Sequence, residues 1–329
     1  MASIKDVATR AGVATSTVSK VLNNYPNVSE DTKRKVNDAI RELNFVPNAV
    51  ASALSSKQSG RVAILMDQNT QTTAIDEIDM QYISGGITRA KELGLDVITI
   101  FFSMLTDKGV SETINYLKSQ SITGLVIYGL SKDEEMLLEL VRSGEFKCVL
   151  VDAPIVNSQT SCVWIDQARA QYDVAKELLT KNPSKSILYI SGKENGFVTE
   201  ERLKGIKRLC KEEKLKLKVM CGNFSELQAR NITLEHGADY DLVVCASDLM
   251  AIGAMKALTE MDIFRPVSGF DGITLMGYVG KQMTTVRQNF SNLSATAMDE
   301  IYRLIRGEEG REVICDHEIV RLKYLDIIC

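Results

Sequence analysis

Two hydrophobic periodicities divide the chain. Up to residue 45 the apolar positions recur at helical spacing. Ile4, Val7, Ala8 and Ala11 share one face, followed by Val18, Val21 and Leu22, and then by Val36, Ile40 and Leu43. Ser3 with Asp6 three residues on forms an N-capping pattern, Gly12 and Val13 break the first helix, and Ser29 with Glu30 and Asp31 opens the third. Pro47 stops helical continuation from upstream. From Arg61 the texture changes to short, β-branched apolar runs at 62–66, 97–102, 124–128, 148–151, 187–190 and 242–245. Each precedes a helical pattern, as at 83–93, 110–119, 133–143, 168–179, 200–214 and 248–259. Repeated βα units of this length predict parallel sheets with helices on both faces. The strands are too many for one comfortable sheet, so the pattern predicts two similar doubly wound lobes. A ligand site then falls at the carboxyl ends of the strands, in the cleft between the lobes.

Composition narrows the function classes. The 329 residues are 45% hydrophobic and 25% charged with only 5 prolines, enough for two or three ordinary domains. The longest apolar runs are strand length, far below a membrane span, and the first six residues lack the apolar stretch of a signal peptide, so a cytoplasmic protein without membrane contact is expected. Cys148, Cys162, Cys210, Cys221, Cys245, Cys315 and Cys329 are scattered with no Cys-x-x-Cys pair, as free thiols in a reducing compartment would be. His236 and His317 are too few for a zinc site or histidine catalysis, and no nucleophile elbow, phosphate loop or metal cluster is visible. Neither a cofactor nor enzymatic activity is therefore expected. The net charge of −4 alone argues against nucleic acid, but residues 1–60 carry eight basic and five acidic side chains while the remainder is acidic. That asymmetry suits a small nucleic-acid-facing module on an acidic body.

A helix-turn-helix fits the first two helices. Ala8 falls where the helices cross, Gly12 at the turn, and Val18 and Val21 on the inner face of the second helix. Its outward positions are Thr15, Ser16, Thr17, Ser19, Lys20 and Asn23, short hydrogen-bonding side chains plus one cation, which suits a helix lying in the major groove. A generic three-helix domain with a solvated polar face satisfies the same spacing. The segments Val-Ala-Thr-Ser-Thr-Val-Ser-Lys-Val-Leu-Asn (13–23), Val-Ser-Glu-Asp-Thr-Lys-Arg-Lys-Val (28–36) and Leu-Asn-Phe-Val-Pro-Asn-Ala-Val-Ala-Ser-Ala-Leu (43–54) closely resemble the headpiece of the lactose/galactose-repressor family. The resemblance implies that Thr15, Ser16 and Lys20 read bases and that Thr17, Ser19, Asn23, Ser29 and Thr32 contact phosphates. Lys20 has the chemistry to reach guanine O6 and N7, and Thr15 to touch a thymine methyl. Ala14 departs from the family's usual capping serine, leaving Thr15 or backbone alone to open the helix. Residues 48–56 resemble the family's hinge, a segment too short to be a stable lone helix. Leu54 matches the leucine that wedges into the minor groove and kinks the duplex; on its own it reads as a linker leucine docked on the body.

Weaker echoes of the family continue to about residue 305. Glu-Glu-Arg-Leu-Lys-Gly (200–205) resembles its Arg-x-x-Gly signature, implying that Arg202 faces an effector, and Gly269-Phe270-Asp271 resembles the signature whose carboxylate binds it. Outside that context Arg202 reads as a solvated helix charge and Asp271 as a turn aspartate. Ala246-Ser247-Asp248 resembles a helix opening in which Asp248 is the N-cap and Ser247 touches ligand. Phe224 aligns with an aromatic that stacks on a ring, and Asp67 and Asp152 end strands of the first lobe as hydroxyl acceptors. One arginine, several carboxylates and a stacking aromatic suit a sugar or sugar phosphate first, and a purine or nucleoside with much the same parts.

The resemblance thus implies a helix-turn-helix headpiece at 1–47, a hinge at 48–59 and a periplasmic-binding-protein-like body at 60–329. Within the body one lobe spans about 60–159 and 290–319, the other about 160–289 and 320–329. The expected function is that of a sequence-specific DNA-binding repressor of carbohydrate-utilisation genes, working on a palindromic operator. A two-fold operator requires a dimer, and without the leucine-heptad tail of the family's tetrameric member a homodimer is expected. A protein corepressor is the alternative within the family. A sugar-binding transport protein is the alternative outside it, against which the headpiece and the missing export signal count.

Overall fold

In the computed structural model, residues 3–22, 28–43, 45, 61–67, 77–279 and 282–323 are described. Helix α1 (Ile4–Ala11) opens as its sequence dictates. The Asp6 N–H donates to Ser3 Oγ at 3.3 Å, and Asp6 Oδ2 accepts from the Ser3 N–H at 2.7 Å. It ends at Gly12, whose φ of 67° is the left-handed turn that a side chain resists. Helix α2 (Thr15–Leu22) follows, then α3 (Glu30–Glu42), capped by Ser29. Val7, Ala8, Val18, Val21, Val36 and Ala39 meet in a small shared core.

The body contains two six-stranded sheets. The first takes β1 (Arg61–Met66), β2 (Asp96–Phe101), β3 (Ile122–Tyr128), β4 (Lys147–Val151), β5 (Thr160–Ile165) and β11 (Glu312–Cys315), in the spatial order β11-β5-β4-β3-β1-β2, all parallel. The second takes β6 (Ser186–Ser191), β7 (Lys216–Cys221), β8 (Leu242–Cys245), β9 (Val267–Ser268), β10 (Thr284–Arg287) and β12 (Glu318–Arg321), in the order β12-β10-β9-β8-β6-β7. Only β12 runs antiparallel, against β10. Strands such as Val62–Met66 read as unbroken apolar runs because helices cover both faces of each sheet, burying them throughout.

The connecting helices on the first sheet are α4 (Glu77–Leu93), α5 (Val110–Ser119), α6 (Glu135–Arg142) and α12 (Phe290–Ile305). Those of the second are α7 (Gln167–Lys181), α8 (Phe197–Glu212), α9 (Glu226–His236) and α10 (Asp248–Glu260), with a short turn α11 (Leu275–Tyr278). Gly205 lets α8 approach α7, since a methyl there would collide with the Ala168 carbonyl. The chain crosses between sheets three times: after β5, after β10 and after β11.

These crossings displace the lobe limits expected from sequence. A division at 159/160 falls one strand early, because Thr160–Ile165 pairs with both β4 and β11 in the first sheet and the crossing comes at Asp166, the N-cap of α7. At the far end Glu318 and Ile319 already belong to the second sheet, ahead of an expected limit at 320. Among the described residues no helix is long and apolar enough to cross a membrane.

Candidate DNA interface and effector cleft

On α2 the Val18 and Val21 side chains turn into the headpiece core, which leaves Thr15, Ser16 and Lys20 exposed on the opposite side. Thr17 and Ser19 are half-buried on the flanks. The helix opens on backbone alone: the Ala14 carbonyl accepts from the Thr17 N–H at 2.9 Å and the Val18 N–H at 3.2 Å. Thr15 is therefore the first helical residue, at the end that a recognition helix presents to the groove. Ser29 is exposed at the start of α3, its Oγ accepting from the Thr32 N–H and lying 2.9 Å from Thr32 Oγ1. Asn23 and Leu54 lie outside the described residues.

A cavity of about 1000 Å³ lies between the carboxyl ends of the two sheets. Its floor is a chain of hydrogen bonds across the two lobes. Arg202, on α8 and buried, donates from Nε to Gln167 Oε1 at 2.8 Å and from Nη1 to the Ala246 carbonyl at 2.5 Å. Its Nη2 lies 3.7 Å from Asp271 Oδ1, and the guanidinium sits 3.6 Å from the centre of the Phe270 ring. The Gln167 amide donates in turn to Asp152 Oδ1 at 2.8 Å, and the Tyr82 hydroxyl reaches Asp152 Oδ2 at 3.3 Å. On the other side Gln288 Nε2 donates to Asp271 Oδ1 at 3.0 Å.

Two of the sequence-predicted carboxylates are thus brought to either side of Arg202. Asp152 ends β4 in the left-handed region with φ 64°, and Asp271 has φ 118°, a conformation costly for a side-chain-bearing residue. Burial pushes both carboxyls up, Asp271 to about 7, with Arg202 opposing the shift.

Asp248 corrects the expectation that it caps α10. Ser247 is the N-cap, its Oγ accepting from the Met250 N–H. Asp248 is the first helical residue, fully buried, and its carboxylate accepts from the Gly272 N–H at 2.7 Å, the Ile273 N–H at 2.9 Å and Thr285 Oγ1 at 2.5 Å. It pins the loop that carries Asp271. Burial first, then the neighbouring Asp271 charge, holds its carboxyl well above the usual range.

The other predicted residues line the same cavity. Ser247 contributes from the α10 cap, and Asp67 is exposed at the end of β1. Phe224, half-buried with φ 56°, lays its ring against Gly192, where any Cβ would collide with it. Sequence reading missed Gln167, Gln288, Tyr82 and Phe197. Gln167 and Gln288 stand just beyond β5 and β10, and a polar residue at each strand's carboxyl end is the signal that could have marked them.

The lobes also meet at the rims. The Glu77 carboxylate on α4 accepts from the Thr274 N–H at 2.8 Å and its hydroxyl at 2.7 Å. On the other rim Lys132 pairs with Glu200 and donates its N–H to the Asn195 carbonyl at 3.1 Å, while Asn195 Nδ2 donates to Asp133 at 3.0 Å. The arrangement is a cleft closed over a polar floor.

Comparison with known proteins matches both halves of the chain. Residues 3–48 match the family described as "Bacterial regulatory proteins, lacI family", and residues 65–323 match "Periplasmic binding proteins and sugar binding domain of LacI family". The transcriptional regulator RegA of Clostridium saccharobutylicum is 30% identical over 97% of each chain. The transcriptional repressor PurR of Vibrio atlanticus is also 30% identical, over 94% of this chain and 93% of that one. Among solved structures, the Lac repressor dimer bound to operator and the anti-inducer ONPF superposes with a TM-score of 0.81 at 23% identity, covering 97% of this chain and 98% of that one. A complex of the regulator CelR with cellobiose gives a TM-score of 0.71 at 23% identity, over 98% and 99%.

Proposed function

The chain belongs to the LacI family of DNA-binding transcription regulators, and from that premise we propose that it is a repressor of carbohydrate-utilisation genes released or engaged by a sugar held between its lobes. The observation that carries the sugar reading is the pair of acceptors, Asp152 and Asp271, set on either side of Arg202. Sugar hydroxyls can donate to both carboxylates, and the apolar rings of Phe224 and Phe197 in the same cavity suit the C–H face of a sugar ring. The cavity, about 1000 Å³, stands at the upper end of small-molecule sites and has room for more than one ring. The CelR relative by fold carries cellobiose in its complex.

A second reading, a purine or nucleoside, draws support from the PurR relatives, 28–30% identical over most of the chain. A base would use the same carboxylates for its ring N–H groups and Phe224 for its face. Thermal-shift measurements on the full chain separate the two readings, since a ligand that binds only the folded state raises its melting temperature. The account expects mono- or disaccharides to shift it and purines not to; the reverse pattern selects the second reading.

On the DNA side, Thr15, Ser16 and Lys20 read base edges, and Thr17, Ser19, Asn23, Ser29 and Thr32 hold phosphates, with Leu54 as the minor-groove wedge. The exposed polar face of α2 over its buried valine face supports this assignment. The protein acts as a homodimer on a two-fold operator.

A further inference from the structure

We infer that the deep end of the cleft selects against negative charge, so that the effector is a neutral or cationic, donor-rich molecule and not a phosphorylated or carboxylated one. The inference rests on the reading of the cleft as an effector site and narrows it. Arg202 is the side chain that an anion would seek, but its Nε and Nη1 each hold one hydrogen bond to the protein, at Gln167 and the Ala246 carbonyl, its Nη2 is ion-paired with Asp271 at 3.7 Å, and Phe270 covers one face. Its charge is opposed by the Asp271 carboxylate beside it. Among the described residues Lys193 is the other cation lining the cavity, against the carboxylates of Asp67, Glu77, Asp79, Asp152 and Asp271.

A second observation points the same way. Gln288 is buried, its amide nitrogen is committed to Asp271, and its Oε1 has no hydrogen-bond partner among the described residues. A buried carbonyl oxygen left unpaired is costly, and only a donor can satisfy it. Gln288 Oε1 itself is closed off from solvent, and the acceptor surface toward the cavity is the lone pairs that Asp152 and Asp271 have left, which hydroxyls, ring N–H groups or an ammonium group fit. A phosphate or carboxylate would meet acceptors with acceptors in a site of low dielectric. The two buried carboxyls, already pushed up by burial, would be driven further by such a ligand and relieved by a donor or a cation.

The experiment is calorimetry on the full chain with matched pairs: glucose, glucosamine and cellobiose against glucose 6-phosphate and glucuronate, and adenosine against adenosine 5′-monophosphate. In whichever series binds, the neutral or amino member should bind at least tenfold more tightly than its anionic counterpart. Asp271→Asn should narrow that ratio, because it removes a charge and leaves the shape. An anionic member that binds as well as its neutral counterpart overturns the inference while leaving the effector-site reading intact. A preference that Asp271→Asn leaves unchanged overturns it too, since the selection would then be steric. Silence across every series overturns the sugar and purine readings and this inference with them.

Discussion

At the scale of single residues, function depends on which side chains the fold leaves unspent. Lys20 is exposed on α2 beside Thr15 and Ser16. A base-reading lysine and a phosphate-contacting one behave differently on removal. Lys20→Ala should relax preference at one base pair per half-site, costing roughly 1–3 kcal/mol there. A uniform loss across operator sequences with a shallower salt slope, read by titration at several salt concentrations, would assign Lys20 to the backbone instead. Asp271 gives a pH signature. Its carboxyl holds its proton to about 7 in the fold, whereas the unfolded chain releases it near the ordinary carboxylate value. Between those limits the folded state binds more protons, so this group's contribution to stability falls as pH rises. The melting temperature of Asp271→Asn relative to the parent should therefore climb between about pH 4 and about pH 7 and level off above that. A constant difference across that range would contradict a carboxyl whose burial outweighs the help of Arg202 and Gln288. The sequence marked Asp271 and Arg202 through their signature neighbours, but it could not show that Arg202 is bound on several sides or that Asp248 holds the Asp271 loop. Those facts depend on partners such as Gln167 and Thr285, tens of residues away.

At the scale of elements, legibility follows the range of the interaction. The headpiece helices were readable because Ser3 with Asp6, Gly12 and Ser29 write their caps within four residues. The strand Thr160–Ile165 was not, since Thr160 and Ser161 are buried polar residues that break its apolar run. The short strands β11 and β12 were hidden because their pairing partners, β5 and β10, set their identity through the fold. The rims of the cleft are likewise tertiary. Glu77 at the start of α4 holds Thr274 across the opening with two hydrogen bonds. Glu77→Ala should favour the open arrangement and weaken effector binding by about 1–3 kcal/mol, the range for bonds to a charged acceptor. Calorimetry with the bound sugar reads this directly, and an unchanged affinity would show that the rim contact does not contribute to closure.

At the scale of the whole molecule, a headpiece of three helices and a two-lobed body are joined in one chain, and the function is the coupling between them. Reading a palindrome requires two headpieces at a fixed spacing, about one helical turn of DNA apart. Light scattering at micromolar concentration should therefore report a homodimer with operator bound, and a monomer on operator would contradict the account. Coupling demands more than co-residence: a cleft ligand shifts DNA affinity only through unequal affinity for the two states of the body. Arg202 joins Gln167, Asp152 and Asp271 across the cleft floor, far in sequence from α2. Arg202→Ala should cost about 2–3 kcal/mol of effector affinity, because it releases the Asp271 and Gln167–Asp152 side chains that it holds in place for the ligand and removes its own remaining donors from the cavity. Basal operator binding should survive, because the headpiece is untouched. The most direct test is a fluorescence-anisotropy titration of operator DNA, selected from a random duplex pool, by parent and Arg202→Ala proteins with and without the sugar that binds the cleft. The account predicts that the sugar changes the parent's operator affinity at least tenfold and that the folded variant, at the same sugar concentration, is indifferent to it. A variant that responds like the parent, or a parent whose hold on DNA ignores every cleft ligand, would contradict it.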